Sequence, residues 1–216
     1  MNQDLAEQLA TQATERLFGP HVKIEASGRH VHLSQAAVEA LFGPGHQLRF
    51  KNALSQPGQF SCQERVTLRG PKGCLEHVAV LGPARAECQA EVSATDALAL
   101  GIHPPVRMSG DLAGSPGITL IGPQGELQLA HGLIIARRHL HLSPEAARHL
   151  ELADGDEAEV TVCGARALCF RAVAVRVSPA FVPRLHIDYD EANACRFRPG
   201  MVGFVKKRKE DVHDLG

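Results

Sequence analysis

The sequence contains few aromatic residues and has almost no net charge. Tryptophan is absent, while tyrosine occurs once and phenylalanine eight times in 216 residues. The formal net charge of −1 at pH 7 argues against nucleic acid or an anionic membrane as a partner, because both are bound by basic surfaces. A short basic run at 206–209 is followed by acidic residues, so we interpret it as a solvated tail.

The sequence also lacks long apolar runs and closely paired cysteines. No segment approaches the ~18 consecutive apolar residues of a membrane-spanning helix, and the first residues show no signal-peptide pattern. The six cysteines include no C-x-x-C pair and lie mostly in apolar, strand-like segments. We therefore expect reduced, buried thiols of a cytosolic protein rather than a disulfide framework or a thiolate zinc site.

The chain has 216 residues, which suffices for one large domain or two small ones, and its 44% of hydrophobic residues is ordinary for a globular protein. Short segments rich in valine and isoleucine are separated by glycine and proline, which predicts strands joined by turns. Because helical segments are few, the fold class should be mainly β, with barrels or sandwiches rather than an alternating α/β sheet. The predicted strands include 21–27, 65–70, 77–82, 158–164 and 170–178.

Three segments predict short helices. Residues 2–18 place leucine and alanine on one face, which indicates an amphipathic N-terminal helix that either packs on the protein body or serves in docking or targeting. Ser34 and Ser143 are natural N-caps of two further helices, and Pro144 suits a first helical position. The stretch 104–132, rich in glycine and proline, is predicted to connect two halves of the chain.

Histidine is abundant, and four of the twelve histidines belong to a repeated phrase, GRHVHLS in the first half and RRHLHLS in the second. The repeat continues beyond this phrase, because VAV at 78–80 matches VAV at 173–175. The same offset carries Glu91 onto His186. Each half therefore contributes one His-x-His pair and one further candidate ligand.

In an extended strand, residues i and i+2 point to the same face, so the two histidines of each phrase converge. A third ligand from another strand would complete a set for zinc and leave an open coordination position, as in catalytic zinc sites. Such ligands disfavour calcium and magnesium. Alternatively, the histidines only satisfy hydrogen bonds at a turn of a repeated fold. The candidate metal ligands are His30, His32 and Glu91 in the first half, and His139, His141 and His186 in the second.

Several cations lie close to these residues in sequence. Arg85 follows a Gly-Pro turn shortly before Glu91, where it is either a phosphate or carboxylate ligand or an ordinary surface arginine. Arg29 and Arg138 precede the two histidine pairs and are placed to steady acids behind the metal ligands. Lys72, in RGPKG, either meets a phosphate or lies in water at the tip of a turn.

Taken together, these segments resemble the phosphate propanoyltransferases, the phosphotransacylases of bacterial microcompartments. The matching motifs, in family order, are GRHVHLS, VAVLGPARAECQAEVSATDALALG, PVRMSGDLAGSPG, RRHLHLS, GDEAEV and LHIDYDEANA, and they cover residues 22–205. Gly28 differs from the asparagine or alanine of many members, and Cys88 and Ala90 depart from the usual wording around Gln89. None of these departures is a candidate metal ligand.

The resemblance implies an enzyme that interconverts a short acyl-CoA plus phosphate with acyl phosphate plus free coenzyme A. It implies two zinc ions, one for each set of candidate ligands, with the coenzyme sulfur able to fill the open position of the first. Arg85 would bind phosphate as the catalytic residue. The residues implied for the coenzyme A pocket are Ala26, Ser27, Gly28, Lys72, Ala79 and Asn193.

The resemblance also implies two β-barrel domains with short capping helices, and a homodimer. The N-terminal helix resembles helices that carry enzymes into microcompartment shells, with shell or core proteins as partners, so both the microcompartment lumen and the cytoplasm fit. The implied boundaries are 1–18 for the extension, 29–136 for the central barrel, 19–28 plus 137–206 for the second barrel, and 207–216 for the tail.

Direct attack of phosphate on the thioester needs no acyl-enzyme, and no cysteine lies in a nucleophile motif. Two other classes stay open at this point. A zinc-dependent acyl-CoA thioesterase would use water as the nucleophile, and a non-catalytic metal-binding protein associated with a microcompartment would show no turnover. Arg85 beside Glu91 favours phosphate transfer over both. Acetyl and propanoyl groups are not distinguished, because one methylene changes binding by only about 1 to 3 kcal/mol.

Overall fold

The structure, a computed structural model, describes residues 19–208. Strands account for 43% of the residues and helices for 15%, which confirms the predicted mainly-β fold class. The amphipathic helix predicted for residues 2–18 lies outside the described residues. Among the helices within 19–208, none is long and apolar enough to cross a membrane.

The described chain consists of short strands with four short helices between them. The strands are β1 (His21–Ala26), β2 (His30–His32), β3 (Phe50–Ala53), β4 (Phe60–Arg69), β5 (Cys74–Gly82), β6 (Gln89–Val92), β7 (Val106–Arg107), β8 (Ile118–Ile121), β9 (Glu126–Leu129), β10 (Leu133–Ala136), β11 (His139–Leu142), β12 (Glu157–Val162), β13 (Leu168–Val177), β14 (Arg184–Ile187) and β15 (Val202–Lys207). The helices are α1 (Gln35–Phe42), α2 (Ala94–Leu100), α3 (Pro144–His149) and α4 (Tyr189–Cys195).

One compact unit, here called the closed-barrel unit, contains six strands that close in the order β1-β14-β11-β13-β12-β15. Alternate residues of each strand face the barrel interior. In β12, for example, Ala158, Val160 and Val162 are buried while the residues between them are more exposed. The barrel is therefore filled by side chains. The described part of this unit comprises residues 19–26, Arg138–Ile187 and 191–208.

The other compact unit, here called the open-sheet unit, comprises Ser27–Arg137 and Asp188–Asp190. Its nine strands form a sheet that curls into a half-barrel. The strand order is β7-β10-β6-β2-β5-β4-β8-β9, and β3 pairs with β4. Apolar side chains of β4 and β5, such as Leu68 and Val80, are fully buried in its core, so this unit has a hydrophobic core of its own.

The stretch 104–132, which the sequence predicted to be a connection, is part of the open sheet. It contains β7, β8 and β9, and β8 pairs with both β4 and β9. Ile118 and Leu120 are buried, so β8 has the alternation of a strand with one core face. The prediction was wrong because the glycines and prolines around these strands obscure such a short alternation.

The sequence repeat corresponds to a repeated arrangement of strands. In the open-sheet unit, β2 lies between the parallel strand β5 and the antiparallel strand β6. In the closed-barrel unit, β11 lies in the same way between β13 and β14. A helix follows each His-x-His strand, and both predicted N-caps are confirmed. The Ser34 side chain accepts a hydrogen bond from the amide of Ala37, and that of Ser143 accepts one from Ala146.

The cysteines are all free thiols, but they are not all buried. Cys62 and Cys195 are buried, whereas Cys74, Cys163 and Cys169 are exposed. The prediction of buried thiols is therefore wrong for these three. Two of them, Cys74 and Cys169, belong to strands, where every second residue points outward even if the segment is apolar.

Part of the basic run at 206–209 is a strand rather than a solvated tail. Lys206 and Lys207 end β15, which pairs with β1 and β12. The Lys207 ammonium lies 3.0 Å from a carboxylate oxygen of Asp156. The earlier interpretation was wrong because the valine and phenylalanine residues just before the two lysines continue the strand through them, so the exposed lysines end a paired strand of the barrel.

Candidate metal centres

The first group of candidate ligands lies on two neighbouring strands of the open-sheet unit. His30 and His32 are the two ends of β2, and Glu91 lies on β6 directly opposite His30 in the antiparallel register. All three residues are buried, and one potential ligand atom from each lies within 4.8 Å of the others. The structure thus brings together the three residues that the sequence predicted as one ligand set in the first half.

The second group has the same arrangement in the closed-barrel unit. His139 and His141 lie on β11, and His186 lies on β14 directly opposite His139. The ligand atoms of these three residues also lie within 4.8 Å of one another. The rings of His139 and His186 are stacked, with centroids 5.0 Å apart. The offset that carried Glu91 onto His186 in the sequence therefore marks equivalent positions in the two units.

In each unit, the arginine just before the His-x-His strand forms an ion pair with an acid on a neighbouring helix. Arg29 donates to Asp96 at 2.7 Å in the open-sheet unit, and Arg138 donates to Glu191 at 2.7 Å in the closed-barrel unit. Each acid lies on the helix that follows the third ligand, α2 in one case and α4 in the other. The arginines that the sequence placed near supporting acids therefore connect the His-x-His strand to this helix.

Hydrogen bonds orient the first group. A backbone carbonyl can only accept, so Nδ1 of His30 donates to the carbonyl oxygen of Gly28 at 2.8 Å. This tautomer leaves Nε2 of His30 facing Oε2 of Glu91, at 3.3 Å. A histidine that ligates a metal through one nitrogen commonly donates from the other to such an acceptor. Gly28 therefore has a structural role in aiming His30 at the ligand group.

The pKa values of His30 and Glu91 reflect one another. Burial lowers the pKa of His30, but the Glu91 carboxylate overcomes this and raises it above the ordinary imidazole value. Burial alone would raise the pKa of Glu91, yet His30 holds it well below its usual range. In the metal-free chain, the pair therefore favours a proton on His30 beside an ionised Glu91. A divalent cation can replace that proton, and it then finds an ionised carboxylate and a neutral imidazole.

His32 and His141, the other buried histidines of the two groups, have the protonation state that a metal ligand needs. Burial, and then the charges of His30 and Arg85, lower the pKa of His32 to about 3. Burial, followed by His139 and Arg176, lowers the pKa of His141 to about 3. Both rings are neutral at pH 7. Nδ1 of His32 and both ring nitrogens of His141 are buried without a hydrogen-bond partner, which is costly unless a further ligand binds them.

The donor sets therefore fit a zinc-type divalent cation. Neutral imidazole nitrogen and carboxylate oxygen are ordinary zinc ligands, and three protein ligands leave one position of a tetrahedral ion open. The first group supplies two nitrogens and one oxygen, and the second supplies three nitrogens. The unpartnered Nδ1 of His32 and one of the two unpartnered nitrogens of His141 are explained if each binds a metal ion.

Arg85 lies close to the first group. Its backbone amide donates to the carbonyl oxygen of Leu33 at 2.9 Å, which fixes it beside the end of β2. The guanidinium donates to the hydroxyl of Ser109 at 3.4 Å, and its positive charge contributes to the lowered pKa of His32. Arg85 is half-buried, so its side chain is held in place while part of it stays accessible to an anion.

The residues that the resemblance implied for coenzyme A are distributed over both units. Ala79 lies on β5 opposite His30, and Gly28 precedes β2 with Ser27 before it. Lys72 is an exposed turn residue whose side chain packs against Gly101. In the closed-barrel unit, Ala26 ends β1 and Asn193 is an exposed residue of α4. Their part in coenzyme binding stays a prediction.

Two polar residues beside Glu91 were missed as site residues. Gln89 lies on the same face of β6, opposite His32, and is only 2% exposed. Ser109 comes from the loop after β7 and accepts a hydrogen bond from Gln89 at 2.9 Å. The signal for Gln89 was present, because it stands two residues before Glu91 in a strand. Ser109 lies in the motif PVRMSGDLAGSPG, but no periodicity of the sequence indicates the tertiary contact that brings it to Gln89.

Comparison with known proteins gives a consistent result. The family model of phosphate propanoyltransferase matches residues 23–198. The chain is 48% identical over 211 residues to the phosphate propanoyltransferase of Listeria monocytogenes, covering 97% of this chain and 99% of the relative. It is 51% identical over 185 residues to that of Enterococcus faecalis (86% and 88% covered). It is also 46% identical over 195 residues to that of Salmonella typhimurium (90% and 92% covered).

Proposed function

Since the chain belongs to the phosphate propanoyltransferase family and is an acyltransferase, we propose that it interconverts a short-chain acyl-CoA and phosphate with an acyl phosphate and free coenzyme A. The substrates would be propanoyl-CoA or acetyl-CoA. The observation that carries the proposal is the pair of ligand groups, each with its potential ligand atoms within 4.8 Å of one another. Such groups suit chemistry in which negative charge develops on oxygen or sulfur.

We propose that His30, His32 and Glu91 hold one zinc ion and that His139, His141 and His186 hold another. When bound, zinc would act as a Lewis acid that stabilises the negative charge on the thioester carbonyl and on the departing coenzyme thiolate. The protein residues contribute orientation. Gly28 aims the ring of His30, and the arginine–acid pairs steady both His-x-His strands.

Arg85 is the proposed phosphate-binding residue. Its guanidinium is always charged and can form two parallel hydrogen bonds to phosphate oxygens, and the Ser109 hydroxyl limits its movement. A phosphate oxygen then attacks the carbonyl carbon, the carbon–sulfur bond breaks, and coenzyme A leaves as a thiolate. Holding both reactants together removes an entropic cost of at most about 7 to 11 kcal/mol. No covalent acyl-enzyme is required.

The proposed coenzyme A contacts are those implied by the family motifs. They include the segment Ala26 to Gly28, which leads into the first His-x-His strand, and Ala79, which is the cross-strand neighbour of His30. Lys72 would meet a phosphate of the coenzyme, and Asn193 would contact it from α4. Substitution of Lys72 by alanine should raise the KM for coenzyme A and leave the KM for phosphate unchanged.

An assay of free thiol release tests the function directly. Acetyl-CoA and propanoyl-CoA are each incubated with the zinc-loaded protein, with and without phosphate, and acyl phosphate is trapped with hydroxylamine. We expect thiol release that requires phosphate and equals acyl phosphate formed. Release that ignores phosphate would instead identify a zinc-dependent thioesterase, and absence of turnover with either substrate would identify a non-catalytic metal-binding protein.

The proposal extends to assembly and location. By resemblance, the active form would be a homodimer, either in the cytoplasm or in the lumen of a bacterial microcompartment that residues 2–18 would target. Light scattering of the purified protein measures its molar mass in solution, which for a homodimer is twice the 23.2 kDa of one chain. Deletion of residues 2–18 should release the enzyme from purified microcompartments without lowering its specific activity. Equal recovery of both forms in the microcompartment fraction would remove the targeting role.

A further inference from the structure

Gln89 uses both polar atoms of its side-chain amide in hydrogen bonds beside the first ligand group. Its Nε2 donates to Oε1 of Glu91 at 2.5 Å and to the hydroxyl of Ser109 at 2.9 Å. Its Oε1 accepts from the amide of Gly110 at 2.8 Å. An amide carries two N–H donors, so both are used, and the amide can have only this orientation. The side chain is 2% exposed, so water does not compete for these bonds.

These bonds divide the two oxygens of Glu91 between different partners. Oε1 is bound to Gln89, whereas Oε2 is the oxygen that faces Nε2 of His30, at 3.3 Å. A carboxylate whose oxygens are both free can bind a metal through either one or both. The hydrogen bond from Gln89 competes with a metal ion for Oε1, so it favours Oε2 as the ligand atom. The carboxylate then takes one coordination position of the ion instead of two.

We infer that Gln89 is a positioning residue that keeps Glu91 a one-oxygen metal ligand and thereby keeps a coordination position open for substrate. The inference rests on the proposed function, because an open position matters only for a catalytic ion. The inference assigns to Gln89 the role of keeping the coordination number of the proposed ion low. Gln89 would not touch substrate itself.

The Ser109 hydroxyl extends the same network to Arg85. It accepts from Nη1 of Arg85 at 3.4 Å as well as from Gln89. Ser109 also lowers the pKa of Glu91, after the larger effects of burial, His30 and His32. Arg85, the proposed phosphate-binding residue, is therefore connected to the Glu91 carboxylate through the side chains of Ser109 and Gln89, all within one unit.

The closed-barrel unit supports this assignment by contrast. There, the residue opposite the second histidine of the pair is Arg184, at the register position that Gln89 has in the other unit. Its Nε lies 3.4 Å from a carboxylate oxygen of Glu25. The third ligand in this group is His186, whose imidazole cannot bind one metal through two atoms. Such an imidazole needs no restraining amide, and the equivalent register position is occupied by Arg184.

Cobalt(II) in place of zinc makes the coordination number visible, because four-coordinate cobalt absorbs visible light more strongly than five-coordinate cobalt. The test variant is Gln89→Met, which keeps the approximate volume of the side chain but removes every hydrogen bond. The matched control is Gln56→Met, since Gln56 is another buried glutamine of the open-sheet unit outside the ligand group. Spectra are recorded at saturating cobalt, together with kcat and the melting temperature.

We expect Gln89→Met to weaken the visible absorption per bound cobalt and to lower kcat by about 10- to 100-fold, the usual effect of removing a partner of a metal ligand. Gln56→Met should keep the parent spectrum and kcat even if its melting temperature falls. A parent-like spectrum for Gln89→Met would overturn the inference, whatever its kcat. If Gln89→Met does not fold, Gln89→Asn, whose amide is too short to reach Glu91, should give the same weakened spectrum. Failure of the parent chain to bind cobalt would instead contradict the proposed function.

Discussion

The two ligand groups share a strand arrangement but differ in charge. In both units, a His-x-His strand lies between a parallel and an antiparallel neighbour, and the third ligand stands opposite the first histidine. The open-sheet unit supplies a carboxylate, Glu91, at that position, and the closed-barrel unit supplies an imidazole, His186. A bound dication would therefore keep more of its positive charge in the second group.

This difference suggests a division of work between the groups. The two units share the strand register, the helix N-caps and the arginine–acid pairs. They differ at the third candidate ligand, Glu91 or His186, and at the residue two positions before it, Gln89 or Arg184. Glu91 with Gln89 makes a centre of lower charge with Arg85 beside it. His186 has Arg184 two residues before it and Glu25 facing its Nδ1 at 3.8 Å. If both groups bind zinc as proposed, the more positive centre would be the stronger Lewis acid, and the other would have the proposed phosphate-binding residue beside it.

The largest expected effect comes from Arg85, the proposed phosphate-binding residue beside the first group. Arg85→Ala should lower kcat/KM by about 100- to 1,000-fold, the usual cost of losing a donor to a developing charge. It should raise the KM for phosphate while both zinc ions stay bound. Steady-state kinetics and elemental analysis measure these quantities. Arg69→Ala, which breaks a half-exposed ion pair with Glu126, is the control, and equal kinetics for both variants would remove Arg85 from the mechanism.

His139→Ala separates the two groups by metal content. Removal of one imidazole from a three-ligand set should release that ion, so zinc should fall from about two to about one per chain, with loss of most activity. The first group should keep its metal, because its ligands all come from the other unit. His149→Ala, an exposed histidine of the same unit as His139, should keep both ions. Retention of two zinc ions by His139→Ala would contradict the ligand assignment.

The metal-free chain should lose stability in acid through the buried neutral histidines. Because the pKa of His141 is about 3 in the folded chain and the ordinary imidazole value is 6.5, the unfolded chain binds a proton between these values and the folded chain does not. The free energy of unfolding therefore falls as pH falls from 6.5 toward 3, by at most about 1.4 kcal/mol per pH unit for this group. His32, whose pKa is also about 3, contributes in the same direction.

His141→Phe tests this expectation, since the ring already stacks on Phe181 with centroids 4.1 Å apart. Urea unfolding with a chelator at pH 7 and pH 5 gives the stability of parent and variant. The parent should lose more stability than the variant over this range. Equal losses would mean that His141 takes up a proton as readily in the folded chain as in the unfolded one.

The smallest expected effects concern the scaffold that the two units share. Ser34→Ala and Ser143→Ala each remove an N-cap that accepts a backbone hydrogen bond, so each should lower the free energy of unfolding by about 1 kcal/mol. The losses should be similar, because the caps are equivalent. Thermal unfolding of the zinc-loaded variants measures them. A large loss for one cap and none for the other would show that the repeated segments are not energetically equivalent.

The sequence predicted those features that follow from periodicity and repetition. His30 and His32 could be placed on one face because a strand has a period of two, and Glu91 could be matched with His186 because the repeat keeps its offset. Ser34 and Ser143 were recognised as caps from residue type and position alone. Each of these inferences needs only local geometry and one internal comparison.

Other features depend on tertiary contacts that leave no periodic trace. Ser109 reaches Gln89 and Arg85 because its loop follows β7 back to the sheet, and nothing in the loop sequence indicates this. Strand β8 was hidden by the turn residues on either side, and the exposure of Cys169 depends on which face of β13 it occupies. The role of Gln89 could be recognised only once the bond from its amide to Glu91 was visible.

The most direct test of the account is a crystal structure of the zinc-loaded protein with anomalous diffraction data recorded on both sides of the zinc absorption edge. We expect two peaks per chain that vanish below the edge. One would lie about 2.0 Å from nitrogens of His30 and His32 and from Oε2 of Glu91, and the other about 2.0 Å from nitrogens of His139, His141 and His186. No peak at either group, or zinc bound elsewhere, would contradict the account.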